Sequence, residues 1–241
     1  MREPDAVFAD PRLAVLYDFF DSDRRDLTAY LDIAAELGAR RVVDLGCGTG
    51  SLAVLLAAHG VEAIGIDPAV ASLDVARVKP YADRVRWVHG DATALDVGDQ
   101  PVDLVVMTGN AAQVFVDDGD WHTTLGCART WLGEGGWLVF ETRRPEARDW
   151  ESWDVPPTEV TLPDGRRATV SRTVTSVHLP LVTFESVTTI DGVDLRSLST
   201  LRFREQGQIM ADLAEHGFTV SDIREAPDRP GLELVFLARA R

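Results

Sequence analysis

From Arg41 to Phe140 the chain alternates short apolar runs with longer stretches in which apolar residues recur every three or four positions. This pattern places strands at 41–45, 61–66, 85–89, 102–107 and 136–140 and helices at 50–58, 70–78 and 120–132. Strands alternating with helices pair in parallel through right-handed crossovers, so the expected class is α/β. Upstream, residues 10–37 read as two helices. Leu13, Leu16, Tyr17 and Phe20 share a face of the first, and Leu27, Tyr30, Leu31, Ala34 and Ala35 continue the pattern on the second. Glu134-Gly135-Gly136-Trp137 is a turn signal before the fifth strand. His59-Gly60 and His216-Gly217 each read as a helix end with a C-cap glycine.

The pattern changes after Pro145. Residues 158–203 are rich in Val and Thr and carry hairpin punctuation at Pro163-Asp164-Gly165 and Asp191-Gly192, with Leu179-Pro180 between. Three or four antiparallel strands are expected there, in a register that imperfect alternation leaves open. A helix over 205–216 and strands at 218–223 and 232–238 close the chain. The expected organisation is a core of residues 1–157 and 205–241 interrupted by an insertion at 158–204.

The candidate chemistry starts at Asp44-Leu45-Gly46-Cys47-Gly48-Thr49-Gly50, where an apolar strand ends in an acid and three glycines at alternate positions. Glycines reach positive φ and let backbone N–H groups approach a ligand. A dinucleotide fingerprint, G-x-G-x-x-G, would need a glycine at Ser51, so a nicotinamide cradle is disfavoured. Instead, Asp44, Gly46, Gly48 and Gly50 match D-x-G-x-G-x-G, and the segment resembles the first motif of the class I S-adenosylmethionine (SAM)-dependent methyltransferases of small-molecule type. The resemblance covers about residues 28–145 and 205–241. It implies a Rossmann-like, mostly parallel seven-stranded sheet, here with an inserted antiparallel β-subdomain, and SAM as cofactor with S-adenosylhomocysteine (SAH) as product.

The same resemblance assigns further strand ends to the cofactor. Asp67, followed by Pro68, ends the second strand where a carboxylate accepts both ribose hydroxyls. Asp91, followed by Ala92, lies past the third, where an acid receives the adenine amino group. Thr108, Gly109 and Asn110 follow the fourth, beside the methionine part and the methyl group. Cys47 is a small side chain within the loop. Tyr17 stands where a tyrosine of the family often touches the methionine end, although its place on the apolar face of the helix favours a core residue.

Composition narrows the class. At 241 residues and 45% hydrophobic content the chain can bury a substantial core. No apolar run approaches a membrane span and Met1-Arg2-Glu3-Pro4-Asp5 opens no signal peptide, which points to the cytoplasm. Two cysteines without metal-ligand spacing indicate neither a disulfide nor a metal site. A formal charge of −15 argues against a nucleic-acid partner, and an acidic surface favours cationic SAM.

The implied activity is methyl transfer to a nitrogen or oxygen atom of a small molecule. The absence of an Asn-Pro-Pro-Tyr or Asp-Pro-Pro-Tyr run after the fourth strand lowers nucleobase and glutamine-amide targets. The alternative is a methyltransferase-like protein that uses SAM in another reaction or as a structural ligand. An amine needs no strong base and a hydroxyl generally does. His122, Glu141 and Arg143 are the candidate catalytic groups, the last as a charge stabiliser. The insertion is expected to cover the substrate side of the pocket or to form a dimer contact, so monomer and homodimer both stay open.

Overall fold

The computed structural model describes residues 3–20 and 25–241. Met1-Arg2, part of the reading against a signal peptide, and the junction at 21–24 between the two expected N-terminal helices lie outside the described residues.

In chain order the helices are α1 Ala6–Ala9, α2 Pro11–Phe20, α3 Arg25–Glu36, α4 Ser51–Ala58, α5 Val70–Ala76, α6 Asp118–Trp131 and α7 Gln206–Glu215. The strands are β1 Arg41–Leu45, β2 Glu62–Asp67, β3 Val85–His89, β4 Val102–Met107, β5 Leu132–Arg143, β6 Val155–Thr161, β7 Arg167–His178, β8 Leu181–Ile190, β9 Val193–Arg202, β10 Phe218–Glu225 and β11 Glu233–Ala240. Seven of them form one sheet in the order β3-β2-β1-β4-β5-β11-β10. β3 through β5 pair in parallel and β11 runs antiparallel to both of its neighbours. The fold is the expected α/β sheet with an antiparallel insertion.

Both faces of this sheet are covered, and alternate residues of each central strand serve opposite faces. Val43, Ile64, Val105, Leu138 and Phe236 pack with Trp121 and Leu125 of α6 and Leu213 of α7. Val42, Ala63, Leu104, Val139 and Val235 pack with Ile33 of α3 and Leu52 and Leu56 of α4. Helix α6 begins two residues before its expected start because Asp117 caps it, accepting from Gly119 N at 2.7 Å and Asp120 N at 3.3 Å. The turn expected at Glu134–Trp137 is instead an irregularity inside β5. Val102 faces Leu132 and Leu104 faces Trp137, so the intervening residues bulge out of the ladder.

Strands β6 to β9 form a second, antiparallel sheet in chain order. It starts at Val155 rather than 158, because Val155-Pro156-Pro157 belongs to an edge strand, the position where a sheet tolerates proline. The other edge, β9, meets α1, where Val7 N donates to Ser197 Oγ at 2.9 Å. One edge is therefore blunted by prolines and the other partly covered, which disfavours edge-to-edge addition. Leu162, Ala168, Ile190 and Leu195 at the hairpin end of this sheet pack on Leu13 and Leu16 of α2. Among the described residues no helix is long and apolar enough to cross a membrane.

Candidate functional site

The chain order of the large sheet reverses between β1 and β4, and open α/β sheets bind ligands outside the strand carboxyl ends at such a point. β1 leads into the glycine loop, whose Gly46 N and Cys47 N both donate to Ile66 O at 2.8 and 3.0 Å. Gly48 and Gly50 differ in role although both have positive φ, 52° and 74°. A Cβ on Gly50 would lie 2.4 Å from Trp87 Cη2 and 2.8 Å from Ala76 Cβ, so this glycine permits packing beneath the loop. A Cβ on Gly48 would meet nothing within 4 Å, and Gly48 lines a cavity above the strand ends. Of the two, only Gly48 leaves bare backbone toward a ligand.

Asp67 is buried at the end of β2. Its Oδ2 accepts Gly48 N and its Oδ1 accepts Ala69 N, each at 2.8 Å. Burial raises its carboxyl above the usual range, opposed by these two N–H donors. Asp44, Gly46, Cys47 and Pro68 line the same cavity. Burial, reinforced by Asp44 and Asp67, pushes the Cys47 thiol up, so it stays protonated. Asp91 also lines the cavity, with Oδ1 accepting Thr93 N at 2.8 Å, as do Thr108 and Gly109 after β4. Ala92 does not line it; it is buried in the core beneath. Six carboxylates, those of Glu3, Asp5, Asp44, Asp67, Asp91 and Asp120, line this cavity, and no lysine, arginine or histidine does among the described residues. An open glycine backbone, a buried carboxylate beside it and an anionic wall fit a cation that carries a ribose.

Helix α2 closes one side. Asp18 accepts from Thr49 Oγ1 at 2.5 Å and pairs with Lys79 at 2.5 Å, and Lys79 Nζ donates to Ser51 Oγ at 2.8 Å. No motif marks Asp18 or Lys79; only the packing of α2 on the loop brings them together. Tyr17, on the same helix and half-buried, has its ring 5.2 Å from that of Phe8 and lines both this cavity and a second one.

The second cavity, of about 640 Å³, adjoins the first at Tyr17, Gly109 and Val114 and lies under the antiparallel sheet, whose Phe184, Ser186, Thr188 and Ser199 face it. Asn110 belongs here rather than to the first cavity. Its N donates to Glu141 Oε1 at 3.0 Å and its Nδ2 to Glu233 Oε1 at 2.9 Å. Glu141, at the end of β5, also accepts from the Tyr30 hydroxyl of α3. Burial, with Glu233 nearby, pushes its carboxyl up to about 7, against the Tyr30 and Asn110 donors. Arg143 is a strut. Its Nη1 donates to Gln113 Oε1 at 3.0 Å, its Nε lies 3.5 Å from both Asp149 and Glu233, and its guanidinium sits 5.0 Å from the Trp153 ring centroid.

His122 is not part of either site. It lies in α6 with its ring stacked on His216 at 4.9 Å and lines neither cavity. Two residues that sequence reasoning passed over, Arg202 and Arg204, donate to Val116 O and Phe115 O, each at 2.8 Å. They tie the exit of the insertion to the loop that lines the first cavity.

Residues 42–136 match the family model described as methyltransferase domain. Demethylmenaquinone methyltransferase of Thermus thermophilus is 36% identical over 50% of this chain and 54% of its own length, so the chain spans about half of that curated relative. The CcbJ methyltransferase of Streptomyces caelestis has the same fold at a TM-score of 0.75, with 23% identity over 89% of each chain. So does CalS10, an amino pentose methyltransferase of Micromonospora echinaspora, solved with SAM bound, at 0.73 and 21% identity over 94% of this chain and 97% of its own. Residues 42–136 thus carry a methyltransferase domain, and the glycine loop and sheet order around it are those that the resemblance to the class I S-adenosylmethionine-dependent methyltransferases implies.

Proposed function

We propose that this chain transfers the methyl group of SAM to a nitrogen or oxygen atom of a small molecule, and that nitrogen is the better fit. The observation that carries this reading is the meeting of two cavities at Tyr17, Gly109 and Val114, one at the strand ends and one under the antiparallel sheet. In-line displacement needs the two reactants aligned across such a junction with water excluded. SAM supplies an electrophilic methyl on a sulfonium. The residues that would hold it are Gly48 by its backbone, Asp67 at the ribose and Asp91 near the adenine, with Thr108 and Gly109 at the methionine end. Nitrogen is favoured because the carboxylates that line the second cavity, Asp5, Asp26, Glu141, Asp149, Asp228 and Glu233, outnumber its arginines, Arg143, Arg172 and Arg229, and because CalS10 is an amino pentose methyltransferase by name.

The same reading makes residues 158–204 the substrate cover. Its chamber-facing Ser186, Thr188 and Ser199, rather than the exposed hairpin tips at 163–166 and 191–194, would select the substrate. The test is thermal unfolding with SAM, SAH and NAD, followed by SAH release in the presence of small amines and alcohols. SAM and SAH should raise the melting temperature by mass action and NAD should not. Stabilisation by NAD alone would sink the reading.

A further inference from the structure

This inference rests on the methyl-transfer reading and concerns what happens to the proton of the acceptor. Glu141 lines the second cavity and also a separate groove of about 190 Å³ on the α3 side. Asp26 and Asp228 line both spaces, and Tyr30, Asp32 and Glu36 line the groove, which reaches the surface at exposed Asp32, Glu36 and Asp228. One buried carboxylate is thus reached from the chamber on one side and from solvent on the other. Among the described residues Oε1 accepts from Asn110 N and Oε2 from the Tyr30 hydroxyl, one donor to each oxygen, and a carboxylate oxygen has a second lone pair. The neighbouring guanidinium groups of Arg143 and Arg229 pair with Glu233, at 3.5 and 2.9 Å. Burial that lifts the carboxyl narrows its gap to an alkylammonium, which makes it a competent acceptor near neutral pH.

We propose that Glu141 takes the proton of a substrate ammonium group in the second chamber and releases it to solvent through the groove beside Tyr30. The N–H bond breaks and its proton goes to a Glu141 oxygen. The electron pair left on nitrogen forms the N–C bond to the methyl as the C–S bond breaks, and that bond's pair stays on the sulfur of SAH. The product leaves as the methylated ammonium, and Glu141 is ionised again once its proton has passed into the groove. The titratable and charged groups that face Glu141 are Tyr30 and Asp26 from α3, Glu233 from β11, Arg143 from β5 and Arg229 ahead of β11. Tyr30 is held well above its ordinary value by burial and by Glu141, so it stays a donor and is not the acceptor.

The test uses the full chain with a panel of aminopentoses and aminohexoses and their N-acetyl counterparts. With SAH bound, a free amine should raise the melting temperature more than its N-acetyl form, and Glu141→Gln should erase the difference while binding SAH within about twofold of the parent chain. With SAM, Glu141→Gln should lower kcat by about a hundredfold or more and remove an acid limb near pH 7. Tyr30→Phe deletes a donor that holds the carboxyl down, so it should move that limb to higher pH. If SAH does not bind, the methyl-transfer reading itself fails and takes this proposal with it. If SAH binds but no amine is distinguished from its N-acetyl form, the proposal falls and the reading stands. The proposal falls in the same way if Glu141→Gln keeps the parent rate and pH profile, or if Tyr30→Phe leaves the limb in place.

Discussion

The two cavities share a wall yet are built in different ways. The first takes Asp44, Asp67, Asp91 and Thr108 from the ends of β1, β2, β3 and β4 in a sheet packed on both faces, with Glu3 and Asp5 ahead of α1 and Asp120 of α6 at its rim, and Asp67 is pinned by Gly48 N and Ala69 N. Among the described residues its charged lining is all carboxylate. The second draws acids and arginines from α3, β5, the segment at 149, the loop before β11 and the inserted sheet, and its charges largely satisfy one another. A site made of consecutive strand ends suits one invariant ligand. A site assembled from separate elements can be altered one element at a time, which is what choice among substrates requires.

The comparison breaks most readily at the glycine loop. Gly50→Ala forces a Cβ into Trp87 at a positive φ and should cost about 3 kcal/mol of stability, read as a lower urea midpoint. Parental stability would mean that Gly50 does not serve packing. Next, Asp67→Ala should weaken SAH binding roughly a hundredfold, about 2.7 kcal/mol by calorimetry, because the ribose acceptor and the anchor of the Gly48 N–H disappear together. Unchanged affinity would remove Asp67 from the first cavity.

A pH experiment probes the other side. The Glu141 carboxyl is raised from 4.5 to about 7 in the folded chain, so the fold binds its proton more tightly than the unfolded chain does. That stability is fully present below about pH 4.5 and lost as pH rises through about 7, on the order of 3 kcal/mol. Glu141→Gln should flatten the melting temperature across that window, and an unflattened curve would place the carboxyl in a solvated setting. Smaller still, Ser186→Val or Ser199→Val should change substrate KM several-fold and leave SAH affinity within about twofold, since distant sites act independently. A loss of SAH affinity would merge the two cavities into one. Smallest of all, Arg166→Ala removes exposed pairs to Asp164 and Asp191 at the hairpin tips and should leave both ligands' binding unchanged.

The parallel core was legible from periodicity, and most observed strands begin and end within a residue or two of their expected spans, because burial on both faces demands continuous apolar runs. The four-residue α1 is too short to carry a period. β6 was hidden by Pro156-Pro157, and the start of β5 by glycines that read as a turn and prove to be a bulge. In the candidate site, residues within the strand-end motifs were visible, while His122 was placed at a helix start and proves to stack on His216 outside both cavities.

The sequence by itself determined the α/β class, the glycine loop and the acids that follow β2 and β3, because each rests on residues adjacent along the chain and on the backbone conformations they allow. Only the tertiary structure decided that Gly50 faces Trp87 while Gly48 faces a cavity, that Asp18 and Lys79 latch α2 to the loop, and that Glu141 meets Tyr30 across 111 residues and Asn110 meets Glu233 across 123. Contacts of that separation are set by how whole helices and strands pack, and a local pattern of hydrophobic and polar positions carries no information about which polar groups that packing will bring together.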